Sequence, residues 1–191
     1  MSKPEEQIWT VDRILCSHWG DEGDVADIWC SNFAFDSVVF SMSIAPDVGP
    51  IVYDINSDFN SEDWIHLIGE LGLPDGVYEE ALEKLEDWAT RLDKVVQWIR
   101  PPRWKASPGL AIPDVQYAAL AYAYDLRAEM NPTRITELLA SDMTTSVSTA
   151  KERLRKTREK GFLSSPGKGL GGQGALEKKA LEILKRERLI K

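Results

Sequence analysis

Between Ser146 and Lys160 the chain sets hydroxyls and cations at a spacing that one helix would sort by side. Wound at about 100° per residue, Val147, Ala150, Leu154 and the methyl of Thr157 fall together, which predicts a core-facing side. Ser148, Thr149, Glu152, Arg155 and Lys156 fall opposite, with Arg153 and Lys160 at the edge of that outer side. Thr145 or Ser146 is placed to cap the helix and Gly161 to stop it. Hydroxyls, guanidinium groups and ammonium groups on one exposed face have the chemistry to meet base edges and phosphates. Glu152 sits near the centre of that face. It could accept from a cytosine amino group, or pair with Arg155 and Lys156. Lys168, in the glycine-rich stretch Pro166–Gly174, could add a phosphate or minor-groove contact. The expected DNA-contacting set is therefore Thr145, Ser146, Ser148, Thr149, Glu152, Arg153, Arg155, Lys156, Lys160 and Lys168.

Other reactive residues form weaker patterns. Cys16, Cys30, His18 and His66 are the only cysteines and histidines, and Cys16-x-His18 lacks the paired spacing of a structural zinc site. Buried thiols and an ordinary strand histidine are the simpler reading. Asp21, Glu22, Asp24 and Asp27 lack the ligand order of a calcium loop and read as a solvated turn. Gly167-x-Gly169-x-Gly171-Gly172 lacks the Gly-Lys-Ser/Thr ending of a phosphate loop. With two histidines, no nucleophile–base arrangement can be argued. The expectation is a non-enzyme with no catalytic residue, metal or cofactor.

A basic helix needs a scaffold that holds its face outward. Asp114 to Arg127 is alanine-rich and predicts a helix, with Val115, Ala118, Ala119, Tyr122 and Leu126 on one face, ended by Asn131-Pro132. Thr133 is placed to cap a short helix, Arg134 to Ala140, with Ile135, Leu138 and Leu139 inward. A polar turn, Ser141–Thr145, leads into the basic helix. Phe162-Leu-Ser164 reads as a short strand, and Ala175–Leu189 as a final basic helix.

The N-terminal half has a different character. Ile8–Val11, Ile28–Phe35, Asp36–Ile44 and Ile51–Ile55 read as strands, with Asp47–Pro50 as a turn. A helix is expected after the cap residue Ser61, through Trp64–Ile68. A longer one should carry the apolar stripe Tyr78, Leu82, Leu85, Ala89, Leu92, Val96 and Ile99. That stripe either packs on its own domain or forms the seam of a homodimer.

Composition supports two parts. Residues 1–105 carry 8 Lys and Arg against 21 Asp and Glu, net −13. Residues 106–191 carry 15 against 10, net +5, and from Met143 onward 13 against 5, net +8. Such asymmetry suggests that one end meets a polyanion. All seven tryptophans precede residue 106, and four prolines fall between Pro101 and Pro113. The expected organisation is an acidic domain at 1–100, a linker at 101–113 and a third segment at 114–191. No apolar run approaches the roughly 18 residues of a membrane span. The start Met1-Ser-Lys-Pro-Glu-Glu6 lacks a secretory pattern, so a cytoplasmic setting is expected.

Four stretches carry a family resemblance. They are Tyr117-Ala-Ala-Leu-Ala-Tyr122, Ser148-Thr-Ala-Lys-Glu-Arg-Leu154, Arg158-Glu-Lys-Gly-Phe-Leu163 and Pro166-Gly-Lys-Gly-Leu-Gly-Gly172. Asp114 to Leu184 thereby resembles the C-terminal winged helix-turn-helix domain of many actinobacterial and phage proteins. The turn Ser141–Thr145 departs from that pattern, being longer and lacking the customary glycine. The resemblance implies DNA binding through Ser146–Lys160 and the glycine-rich loop. The expected fold is α+β: a small antiparallel sheet with two helices, then a winged helix-turn-helix. The expected role is a sequence-specific transcriptional regulator acting on double-stranded DNA. The alternative is a protein-interaction or autoinhibited module, in which the acidic N-terminal domain or another protein occupies the basic helix.

Overall fold

The computed structural model describes residues 9–19, 24–32, 38–45, 49–56, 76–104, 111–165 and 174–190. The chain mixes α and β structure and divides into two compact units, Met1–Ala89 and Thr90–Lys191.

In the first unit, β1 (Trp9–Cys16), β2 (Ala26–Asn32), β3 (Val38–Ala45) and β4 (Gly49–Asn56) form an antiparallel meander in that order. Side chains alternate across a strand, so one face can be buried while the other stays wet. Ile14, Cys16, Ala26, Ile28, Cys30 and Ile44 are buried on this period of two, while Arg13, Val25 and Asp27 are exposed. On the wet face the Arg13 guanidinium lies 5.3 Å from the Trp29 ring centroid. Ser43 donates to Asp27 across the β2–β3 pair. Gly49 and Pro50, expected in a turn, instead open β4. The helix expected after Ser61 lies outside the described residues.

Helix α1 (Val77–Ile99) contains the boundary between the units. Its buried positions are Val77, Ala81, Leu85, Trp88, Leu92, Val95, Val96 and Ile99. Tyr78, Leu82 and Ala89, read from the sequence as part of the stripe, are only half-buried. The apolar face is thus consumed within the chain. Of the two expectations for the stripe, packing within the chain accounts for its buried positions, and only Tyr78, Leu82 and Ala89 among the stripe residues keep partial exposure.

The second unit adds α2 (Asp114–Met130), α3 (Ile135–Asp142), α4 (Val147–Glu159) and α5 (Lys178–Arg186). Helix α2 is its centre, buried on more than the single face expected. Residues from Gln116 through Ala121, then Ala123, Tyr124, Leu126, Arg127 and Met130, are all covered. Small alanines let α3, α4 and α5 approach it closely. The division of the chain falls within α1, before the proline-rich stretch. Residues 101–104 are not a free linker. Trp104 is buried edge-on to Tyr117 at 5.2 Å, and Gln116 Nε2 donates to the Arg103 carbonyl.

One buried ion pair locks α2 to α3. Arg127 Nε donates to Asp142 Oδ2 at 2.8 Å and Nη2 to Oδ1 at 2.5 Å, with the Arg127 side chain 2% exposed. Arg100 Nε donates to the Asp142 carbonyl at 3.0 Å.

Helices α3, α4 and α5 end alike, each on one left-handed residue whose neighbours close the last carbonyls. After α3, Thr144 N donates to Ser141 O and Thr145 N to Ala140 O, both at 2.9 Å. After α4, Gly161 N donates to Arg158 O and Phe162 N to Thr157 O. After α5, Arg188 N donates to Lys185 O and Leu189 N to Leu184 O. The left-handed residues are Thr144 (φ 49°), Gly161 (φ 72°) and Arg188 (φ 57°). A β-branched residue is strained there. Thr144→Gly is therefore expected to raise stability by about 0.5–1 kcal/mol, read as a higher midpoint of urea denaturation.

The expected strand after α4 is reduced to one antiparallel bridge, Leu163 with Leu176, flanked by Ser164 N to Ala175 O and Glu177 N to Phe162 O. That bridge takes up the residues before Lys178, which is why α5 starts later than expected. Gly174 makes the crossing fit, since a Cβ there would collide with the Ser164 carbonyl oxygen.

Candidate functional site

Helix α4 begins at Ser146, one of the two N-caps expected from the sequence. Ser146 has extended backbone, and its Oγ accepts from Thr149 N at 3.2 Å. The Ser148 and Thr149 hydroxyls both lie 2.9 Å from Ser146 Oγ, so three hydroxyls cluster at the helix start. Ala150, Leu154 and Thr157 anchor the inner side, with Thr157 Oγ1 donating to the Arg153 carbonyl at 2.8 Å. Thr145, half-buried, spends its backbone N–H on the turn before the helix.

Val147 does not join that inner side. It is 37% exposed, one of two large apolar residues so exposed among those described. Occupying the first helical position, it precedes the first full turn that packs. An apolar group beside three hydroxyls suits contact with a thymine methyl.

The outer side carries Ser148, Glu152, Arg155 and Lys156, all exposed. Its charges are knitted together. Arg155 donates from Nε to Glu152 Oε2 at 2.8 Å and from Nη2 to Glu152 Oε1 at 2.7 Å. Arg155 Nη1 donates to Glu159 Oε1. Lys156 Nζ lies 3.5 Å from Glu152 Oε1. Of the two sequence options for Glu152, pairing with its helix neighbours is the one observed. Hydrogen bonds from Arg155, then the charges of Arg155 and Lys156, hold the Glu152 carboxyl down at about 2. The same contacts push the Arg155 guanidinium upward. Because the folded value is depressed, the clasp is fully formed above the ordinary glutamate range and is lost only as pH falls through about 2. A carbon-detected NMR titration should find Glu152 still ionised at pH 3.5, while exposed unpaired glutamates are mostly protonated. Ordinary titration of Glu152 would show that the clasp is absent in solution.

Two expected contacts are turned elsewhere. Arg153 packs its guanidinium 4.6 Å from the Trp104 ring centroid. Burial pushes its pKa down, opposed by Tyr117, and Nη1 is buried without a hydrogen-bond partner. Lys160 Nζ pairs with Asp114 Oδ1 at 2.9 Å and sits 5.0 Å from the Tyr117 ring. Lys160 thus fastens α4 to the start of α2, and Arg153 fastens it to Trp104 ahead of that helix. Lys168 lies outside the described residues.

Two cations that the helical winding left unassigned face α3. Lys151 and Arg158, with Thr133, Thr136 and Glu137, line a cleft of about 440 Å³. Arg158 rests 5.5 Å from the Tyr124 ring, and its Nε is buried without a hydrogen-bond partner. Their seven-residue spacing places them on one side of α4, a signal the sequence offered.

Elsewhere, Cys16 Sγ donates to the His18 carbonyl at 2.8 Å, and Cys16 and Cys30 are buried free thiols. Burial, reinforced by Asp12 and Glu80, pushes the Cys30 thiol up to about 12, which makes it a poor nucleophile at neutral pH. Among the described residues no group of three His, Cys, Asp or Glu could hold a metal ion. No helix among them is long and apolar enough to cross a membrane. Comparison with known protein families, curated proteins and solved structures finds no match.

Proposed function

We propose that the second unit is a winged helix-turn-helix and that the protein is a sequence-specific regulator of transcription on double-stranded DNA. In this reading α3 buttresses α4, the outer side of α4 enters the major groove, and the Leu163–Leu176 bridge is the base of the wing. One observation carries the reading. Helix α4 turns Ser146, Ser148, Arg155 and Lys156 to solvent while Ala150, Leu154 and Thr157 pin it from behind. An acidic chain, net −8, with a stretch of net +8 from Met143 onward, is compatible with one polyanion-facing surface. The test is selection from a random duplex pool by the full chain. Enrichment of one motif, lost in an Arg155→Ala/Lys156→Ala variant, is the expected result. A pool that stays random overturns the reading.

A second reading has a specific observation behind it. Glu152 and Glu159 offset part of the cationic charge of α4, a surface that suits a protein with its own acidic and hydroxyl groups. In that case the pool stays random and the same double variant weakens a protein complex instead.

A further inference from the structure

Resting on the DNA-binding reading, the geometry points to Arg155 as a reader of guanine, with Glu152 and Glu159 as the residues that position it.

An arginine side chain has five N–H donors, and guanine is the base that presents two acceptors, O6 and N7, on its major-groove edge. Arg155 uses three of its donors within α4. Nε–H and one N–H of Nη2 go to the two oxygens of Glu152, and one N–H of Nη1 goes to Glu159. Nη1 and Nη2 each keep one N–H that can be offered to guanine O6 and N7. The arrangement also fixes the side chain. A free arginine must give up considerable rotamer freedom when it docks. Here carboxylates three residues before and four residues after Arg155 hold it from both directions along the helix, before any ligand arrives.

The other cations of α4 are not set up this way. Lys156 approaches Glu152 only at 3.5 Å and offers a point charge, which suits phosphate better than a base pair. Arg153 is committed to Trp104, and Arg158 to the Tyr124 side of the helix. Arg155 alone among these arginines is exposed, ordered by two carboxylates and left with a donor on each terminal nitrogen.

This assignment gives Glu152 and Glu159 a purpose that plain electrostatics would deny them. Each carboxylate repels the phosphate backbone and so weakens binding to any duplex. Each also strengthens the preference for the right base. The two effects have opposite signs and are separable by experiment.

The full chain is first used to select its preferred duplex from a random pool. Each guanine of that duplex is then replaced in turn by 7-deazaguanine, which keeps base pairing but removes the N7 acceptor, and affinity is read by fluorescence anisotropy. For the wild-type chain, one replacement is expected to weaken binding roughly 5- to 100-fold. In Glu152→Ala the same replacement should cost less than about threefold, while affinity for a scrambled duplex rises. Arg155→Lys, which keeps the charge and loses the fork, should also lose the guanine dependence. Unchanged thermal unfolding of these exposed-site variants shows that the helix is intact. If the chain selects a motif but no guanine responds, or if Glu152→Ala responds like wild type, the Arg155 assignment is overturned and the DNA-binding reading stands. If no motif is selected, both fall.

Discussion

Asp142→Ala is expected to remove about 3–5 kcal/mol of folding stability, enough to unfold a domain of ordinary marginal stability on modest warming. Arg127 is 2% exposed and meets Asp142 through two hydrogen bonds. Removing the carboxylate takes the Asp142 charge and its two hydrogen bonds away from a buried guanidinium. Arginine cannot shed its proton to relieve the burial. Much of the loss therefore comes from the group left behind, not from the missing bond. Replacing both partners tests that account, because an apolar pair of similar volume desolvates nothing. Arg127→Met/Asp142→Leu should recover most of the stability lost in the single variant. Guanidinium denaturation of the full chain reads both. A single variant costing under about 1 kcal/mol would mean the pair is not the lock described.

The second large effect concerns salt. With about five phosphate contacts, log affinity for duplex DNA should fall with log salt at a slope near −4.5, about 500-fold between 50 and 200 mM. Arg155→Ala/Lys156→Ala should weaken the selected duplex by roughly 100-fold at fixed salt. Lys156 should account for about one unit of the slope and Arg155 for most of the sequence preference. A slope near zero would leave the basic stretch from Met143 onward without a polyanionic partner.

What the sequence made legible was local. Helix α4 could be read from Ser146, Gly161 and the spacing of Ala150, Leu154 and Thr157, because caps and helical periodicity act over a few residues. The strands of the first unit were legible through their β-branched residues, though their ends moved by a few positions. What stayed hidden depends on residues distant in the chain. Nothing near Arg153 announces Trp104, and nothing near Asp142 announces Arg127. The turn after α3 hid for a different reason. Its left-handed residue is a threonine, whereas glycine or asparagine is what normally advertises that backbone. Val147 was assigned inward by angle alone, although the packed side of α4 begins only at Ala150.

The carboxylate clasp on α4 also bears on how quickly a regulator of this kind would find its site. A genome offers a vast excess of wrong sequence, and a fully cationic helix would linger on all of it. On the DNA-binding reading, Glu152 would shorten each unproductive visit by offsetting the helix's own charge. Residence at random positions would drop, and the chain would return sooner to the search. A carboxylate that looks misplaced on such a surface would then govern how fast the target is reached.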